Sequence, residues 1–154
     1  MGPIRRAQPA DAEAIAALIN LAFQVERFFI DGDRIGLEQV RDLLTTGEFL
    51  VEEEGGALAA CVYVELRGER AYLGLLSVGP ALQGRGVGSR LVAAAEEHCR
   101  GRGCRFLDLQ IVNLREELPE FYRRRGYVAA GMAPFPSGVP TKLPCHFVKM
   151  SKPL

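Results

Sequence analysis

The sequence predicts an α/β (α+β) domain built on a mixed, mostly antiparallel twisted sheet, and three features predict it. Residues 48–53, 57–66 and 71–78 are strand-like and separated only by turn residues, Gly55-Gly56 and Arg67-Gly68-Glu69, so they form an antiparallel meander. Residues 86–102 carry helical periodicity, close at Gly103 and lead into an apolar strand at 105–112; a strand reached through a helix lies parallel to the one before it. The chain has 154 residues, 48% hydrophobic and 25% charged, which suits one domain over residues 1–154 with a full core and argues against disorder.

The elements follow in order. Residues 4–7 form a short strand. Pro9-Ala10-Asp11 starts a helix with Asp11 as its N-cap, and Ile15, Leu18, Ile19 and Ala22 recur at helical spacing through Val25. Phe28-Phe29-Ile30-Asp31-Gly32 breaks that pattern and reads as a loop, whose two phenylalanines either pack in the core or line a pocket with an apolar part. Leu37, Val40, Leu43 and Leu44 mark a second helix ended by Gly47. The meander, the long helix and the strand at 105–112 come next. A helix at 116–125 ends at Gly126, a strand covers 127–132, a proline-rich loop covers 134–144 and a last strand covers 146–150.

Composition excludes several function classes. Lys+Arg and Asp+Glu balance at 19 each, so no overall field favours nucleic acid or an acidic membrane. Arg123-Arg124-Arg125 reads as a solvated helix end, favourable beside the negative pole of a helix. No apolar run is long enough to span a bilayer, and the N-terminus lacks the apolar core of a signal peptide, so the expectation is a cytoplasmic protein without membrane or nucleic-acid partners. Cys61, Cys99, Cys104 and Cys145 form no Cys-x-x-Cys pair and no zinc spacing, so no metal site is expected, and Cys61 reads as a small core residue.

The most informative run joins the strand at 71–78 to the long helix: Gln83-Gly84-Arg85-Gly86-Val87-Gly88, then Ser89. Glycines between a strand and a helix leave backbone N–H groups bare at the positive helix end, a site for phosphate, and Arg85 adds a charge and Ser89 a hydroxyl. A P-loop would need Lys followed by Ser or Thr after its last glycine, whereas Ser89-Arg90 follows Gly88. A dinucleotide fingerprint would put its third glycine on Ser89 or Leu91, and Pro80 with several extra residues separates strand from glycines.

Together with Tyr122-Arg123-Arg124-Arg125-Gly126-Tyr127, this run resembles the GCN5-related N-acetyltransferase (GNAT) family, whose signatures are Gln/Arg-x-x-Gly-x-Gly/Ala after an apolar strand and a later Tyr-x-x-x-Gly-Phe/Tyr. The resemblance is clearest over residues 57–132. It implies central parallel strands that splay, with helices on both faces, and acetyl-CoA as donor with CoA as product. The pyrophosphate would sit on the amides of Gln83, Gly84, Arg85, Gly86, Val87, Gly88 and Ser89. Pantetheine would pair with the backbone of Leu76, Ser77 and Val78, where a free N–H polarises the thioester carbonyl. Tyr122 falls on the tyrosine that protonates the departing thiolate. Asn113 lies two residues before the family's usual Asn position, held here by Arg115, and is a candidate for the cofactor arm.

The general base is less marked. The family often has Glu on the strand before the phosphate loop, where this chain has Tyr72. Glu65, His146 and Asp31 are the candidates, each with a plain structural alternative as a strand-end charge, a hydrogen-bonded residue or a turn residue. Lys142 and Arg67 are placed to attract an acceptor carboxylate. The resemblance implies a small-molecule or protein amine as acceptor, by direct attack on the thioester, and allows a homodimer. A non-catalytic acyl-CoA-binding or sensing module on the same scaffold is the alternative, favoured by the missing glutamate.

Overall fold

Apolar alternation along the strands organises the chain around one sheet. The computed structural model describes residues 3–154. Its elements are β1 (Ile4–Arg6), α1 (Ala12–Ala22), α2 (Leu37–Thr46), β2 (Glu48–Glu54), β3 (Ala57–Arg67), β4 (Arg70–Val78), α3 (Val87–Gly101), β5 (Phe106–Val112), α4 (Leu118–Arg123), β6 (Val128–Pro134) and β7 (His146–Pro153). The sheet order is β1-β2-β3-β4-β5-β7-β6. The meander is antiparallel throughout, β5 joins β4 in parallel, and β7 inserts between β5 and β6. β7 runs past the expected 146–150 because Ser151, Lys152 and Pro153 pair with Asp108, Leu107 and Phe106.

Each face of the sheet has its own core, since successive side chains point to opposite sides. On one face Leu91, Val92, Ala95 and Cys99 of α3 pack with Leu73, Leu107, Leu109, Tyr122 and Tyr127. On the other, Ile15, Leu18 and Ile19 of α1 and Val40 of α2 pack with Phe49, Val51, Cys61 and Tyr63. α1 lies on β3 and β4 and α2 on β2, while β6, beyond them, is exposed along nearly its whole length. Two buried charges tie α3 down: Glu52 accepts from Arg90 at 3.0 Å, and Glu96 accepts from Tyr127 and Lys152 at 2.9 and 3.0 Å. All four cysteines are free, and three are buried.

Several expectations change in detail. Asp11 makes no side-chain cap on α1; a 3-10 turn at Pro9–Asp11 precedes the helix, and the carboxylate accepts the Gln8 N–H at 2.7 Å and the Arg5 guanidinium instead. α1 stops at Ala22 and tightens into a 3-10 turn at Phe23–Glu26, while the Asn20 amide exchanges two hydrogen bonds with the Ile35 backbone and so anchors the loop that returns to α2. α4 is six residues rather than ten. Phe29 is buried and Phe28 is half-exposed, so only the first of the two roles open to this pair is filled by Phe29.

Candidate active site

The site begins where β4 leaves its neighbour. β4 pairs with β5 only at Arg70, Ala71 and Tyr72, against Phe106, Leu107 and Asp108. From residue 73 onward no strand among the described residues pairs with that side of β4, so its backbone groups there lack ladder partners. The same stretch is bent. Cys61 faces Ser77 but Tyr63 faces Gly74, so Leu75 and Leu76 together oppose Val62 in a bulge, and Leu75 takes φ +55°. That conformation costs an ordinary side chain about 1–2 kcal/mol. It is held by the Leu75 carbonyl, which accepts from the buried Ser77 hydroxyl at 3.0 Å and faces the Cys61 thiol at 4.0 Å. The Ser77 side chain is therefore engaged inward, and Leu76 and Val78 turn their side chains to the α3 core, leaving the backbone of all three as what they can offer a ligand.

The open edge runs into the glycine loop. Gln83 donates its side-chain amide to the Val78 carbonyl at 3.3 Å, fixing strand end to loop. Gly84 and Gly86 take φ +81° and +74°, and a Cβ on either would meet nothing within 4 Å. Backbone angle requires glycine at both positions, and the space beside them is open. The first i→i−4 bond of α3 runs from Arg90 N–H to Gly86 O at 3.1 Å. The N–H groups of Val87, Gly88 and Ser89 therefore have no helical partner, at the positive end of a 15-residue helix.

Ser89 does not present a free hydroxyl. It accepts from the Arg125 guanidinium, which also donates to the Phe121 carbonyl and lies 3.7 Å above the centre of the Phe121 ring. Among the described residues Arg125 Nε is buried without a partner. The basic triplet thus divides: Arg123 and Arg124 are exposed and pair with Glu120, while Arg125 is brought to the start of α3. Arg125 lies in the turn just after α4, and nothing in the sequence marks it off from its two neighbours.

Tyr122 is 4% exposed, packed edge-on to Tyr127 and Phe121, and among the described residues its hydroxyl makes no hydrogen bond to protein. Burial pushes this phenol above its ordinary value, so it carries its proton at neutral pH.

The family model for the acetyltransferase (GNAT) family matches residues 13–127. The chain belongs to the GNAT family. It is 31% identical over 132 residues to Acetyltransferase Atu2258 of Agrobacterium fabrum, a match covering 84% of this chain and 87% of that one. It is 35% identical over 74 residues to glucosamine 6-phosphate N-acetyltransferase 1 of Oryza sativa subsp. japonica, covering 48% of this chain and only 43% of the rice protein. In fold it is similar to yncA from Salmonella typhimurium, solved with its cofactor acetyl-CoA: TM-score 0.78, 22% identity, 100% of this chain and 94% of that one.

Against this GNAT frame the remaining candidates fall in different places. Asn113 uses its side-chain oxygen to accept the His146 N–H at 2.8 Å and its own N–H to reach the His146 carbonyl, closing the β5–β7 ladder. That side-chain oxygen is thereby engaged with β7 rather than with the cleft. Glu65 accepts from Tyr63 at 2.7 Å and Arg67 at 2.6 Å; the Tyr63 hydroxyl first, then the guanidinium, hold its carboxyl below the ordinary carboxylate range. Asp31 is an exposed loop residue paired with Lys142 at 2.9 Å, so Lys142 is engaged too. The His146 imidazole makes no hydrogen bond to protein among the described residues. One pair went unforeseen: Arg115, at the family's Asn position, meets Glu26 at 2.9 Å, with both side chains largely buried, and ties the segment after β5 to the turn after α1. Burial of Glu26 outweighs the arginine and raises its carboxyl pKa. Among the described residues no group of three or more His, Cys, Asp or Glu is placed to hold a metal ion.

Proposed function

We propose that the protein transfers an acetyl group from acetyl-CoA to the primary amine of a small molecule, by direct attack of the amine on the thioester. The observation that carries this reading is the continuity of the site: an unladdered β4 edge, bent at Leu75, leads directly to bare N–H groups at the start of α3. The residues fit a CoA ligand. Open space at Gly84 and Gly86 and the orphaned Nε of Arg125 suit phosphate groups, and the β4 edge suits an amide-bearing arm.

When bound, acetyl-CoA supplies the acetyl group as an activated thioester. The chain would do the rest. The amides of residues 83–89 and Arg125 hold phosphate, the backbone at Leu76 orients the carbonyl and polarises it, and Tyr122 Oη holds a proton for the leaving sulfur. Of the proton acceptors, Glu65 is a weak base because two hydrogen bonds stabilise its ionised form, and Asp31 sits in a surface pair. His146, whose imidazole makes no hydrogen bond to protein among the described residues, is the base this reading retains. A small acceptor is supported by the rice relative, whose name specifies glucosamine 6-phosphate.

The test is release of free thiol from acetyl-CoA with a panel of small primary amines. Turnover on at least one amine is expected, and His146→Gln should lower kcat with CoA affinity retained. Tight CoA binding with no turnover on any amine would leave a binding module in place of the enzyme.

A further inference from the structure

We infer that the cavity beside Tyr72 is the acceptor site of that reaction and that it takes small primary amines carrying a second, negatively charged group, which Lys149 reads. This rests on the acetyl-transfer reading and adds to it a place and a chemical class.

The face of the sheet decides the place. Ala71 and Leu73 of β4, Leu107 and Leu109 of β5 and Met150 of β7 belong to the core under α3. Their sequence neighbours Tyr72, Asp108, Gln110 and Lys149 therefore point to the other side. There α1 and α2 cover the meander strands, and a cavity of about 310 Å³ opens beyond them, lined by Arg67, Arg70, Tyr72, Asp108, Gln110 and Lys149 among others. That volume lies at the lower end of small-ligand sites.

One end of the cavity reaches the reaction centre. The Tyr72 ring lies along β4 over Gly74: a Cβ there would stand 2.9 Å from Tyr72 Cε1 and 3.1 Å from its Oη. Gly74 directly precedes the bulged Leu75, where the ladder with β5 has already ended. A ring in this position is possible only over a glycine, and it brings a hydroxyl without a protein partner among the described residues to the mouth of the cleft.

The other end carries charge. Arg70 is engaged: it binds Asp108 through two bonds of 2.7 and 2.6 Å and Ser151 at 3.0 Å. Arg67 is engaged by Glu65 and held 4.7 Å over the Tyr72 ring. Lys149, exposed on β7 opposite Gln110 and Gly131, has no ion pair or hydrogen bond among the described residues. Of the three cations that line the cavity, Arg67 and Arg70 are matched by Glu65 and Asp108, and Lys149 is left without an anion among the described residues; Arg34, stacked on Phe23, adds a positive charge felt at Tyr72 from outside the lining. β4 and β7 stand two strands apart, about 10 Å at the backbone, and Tyr72 and Lys149 both line the cavity between them. An acceptor spanning them has its amine and its anion separated by a few bonds. The cation also orients it: Lys149 attracts the anion, which leaves the amine for the Tyr72 end, where the positive charges of Arg34 and Arg67 favour its neutral, nucleophilic form.

The probes are 2-aminoethyl phosphate and 4-aminobutyrate, with ethanolamine and butylamine as neutral counterparts. Two readouts are needed: calorimetric binding to the CoA-saturated protein, and kcat/KM for acetylation. The anionic probes are expected to exceed those without an anion about three- to five-fold in each, the scale of one exposed ion pair, and the preference should shrink with added salt. Lys149→Met should abolish it with CoA binding retained, and Lys149→Arg should restore it. Equal handling of charged and neutral probes, or a preference that survives Lys149→Met, overturns the inference. Acetylation without charge preference removes the inference and leaves the transferase reading. Lys149-dependent binding with no acetylation of any amine does the reverse, and absence of both removes both.

Discussion

Strand β4 is joined to β3 from Arg70 to Val78 and to β5 at three residues only. The β3 seam is made by a tight hairpin at Gly68, and its apolar residues interlock on both faces. The β5 seam starts in register and then stops, although Leu73, Leu109 and Ile111 beyond that point are as apolar as any strand residue. What differs is where the far ends are anchored. The end of β5 is drawn to β7 by Asn113 and His146, and the segment after it is drawn to the α1 turn by Arg115 and Glu26. The end of β4 is turned at Leu75 and carried off into the glycine loop. An unpaired edge inside a sheet is otherwise a liability. Here both walls are tied elsewhere, so the opening persists as a fixed cleft.

The largest effect should come from breaking the loop at the end of the open seam. Gly86→Asp places a Cβ and a negative charge in the open space proposed to take phosphate, at φ +74°. Affinity for CoA should fall at least about a hundred-fold, near 3 kcal/mol. Backbone strain alone is controlled by Gly55→Asp, at φ +59° in the hairpin between β2 and β3, where a Cβ also meets nothing. Both variants should lose similar stability in thermal melts, but only the first should lose CoA in calorimetry. Equal CoA affinity in the two would show that the loop holds no phosphate.

Next in size is Tyr122→Phe, which tests chemistry inside the cleft without touching its walls. The hydroxyl has no protein partner among the described residues, so the fold should keep its stability. Turnover should drop roughly ten- to a thousand-fold while CoA affinity stays near wild type. Near-normal kcat in single-turnover measurements would reduce Tyr122 to a packing residue.

The two seams also differ in how far the sequence revealed them. The meander was legible because Gly55-Gly56 and Gly68 punctuate alternating strands, a local signal. The glycine loop was legible for the same reason: positive φ at Gly84 and Gly86 needs glycine and announces itself. The bulge was hidden, because Leu75 at φ +55° looks like any strand leucine until Ser77 and Cys61 are seen to hold its carbonyl. Arg125 was hidden among identical neighbours, since residue type does not reveal which of three arginines is turned inward. The Glu26–Arg115 pair joins residues 89 apart in sequence, a contact that only the folded topology makes. Tyr72 was noted for the glutamate it replaces, while its position over Gly74 follows from strand geometry alone.

The smallest expected effect lies at the last closed point of the open seam. Arg70 on β4 grips Asp108 on β5 with two bonds, and Ser151 on β7 adds a third to the carboxylate at 2.8 Å. The Arg70 guanidinium first, with help from Ser151, holds the Asp108 carboxyl below the ordinary carboxylate range. A carboxyl whose folded pKa is depressed stabilises the fold fully above its unfolded value, near 4, and loses that contribution as pH falls through the lower folded value. Asp108→Asn should therefore melt a few degrees below wild type at pH 7, a modest loss because the pair is partly exposed. The gap should narrow steadily below about pH 4 and vanish once the wild-type carboxyl is protonated. Melting curves of both proteins from pH 7 down to the acid transition would check this. A gap that stays constant with pH would mean that side-chain packing, rather than charge, closes the seam at this point, and that the cleft above it is held open without help from the Arg70–Asp108 clasp.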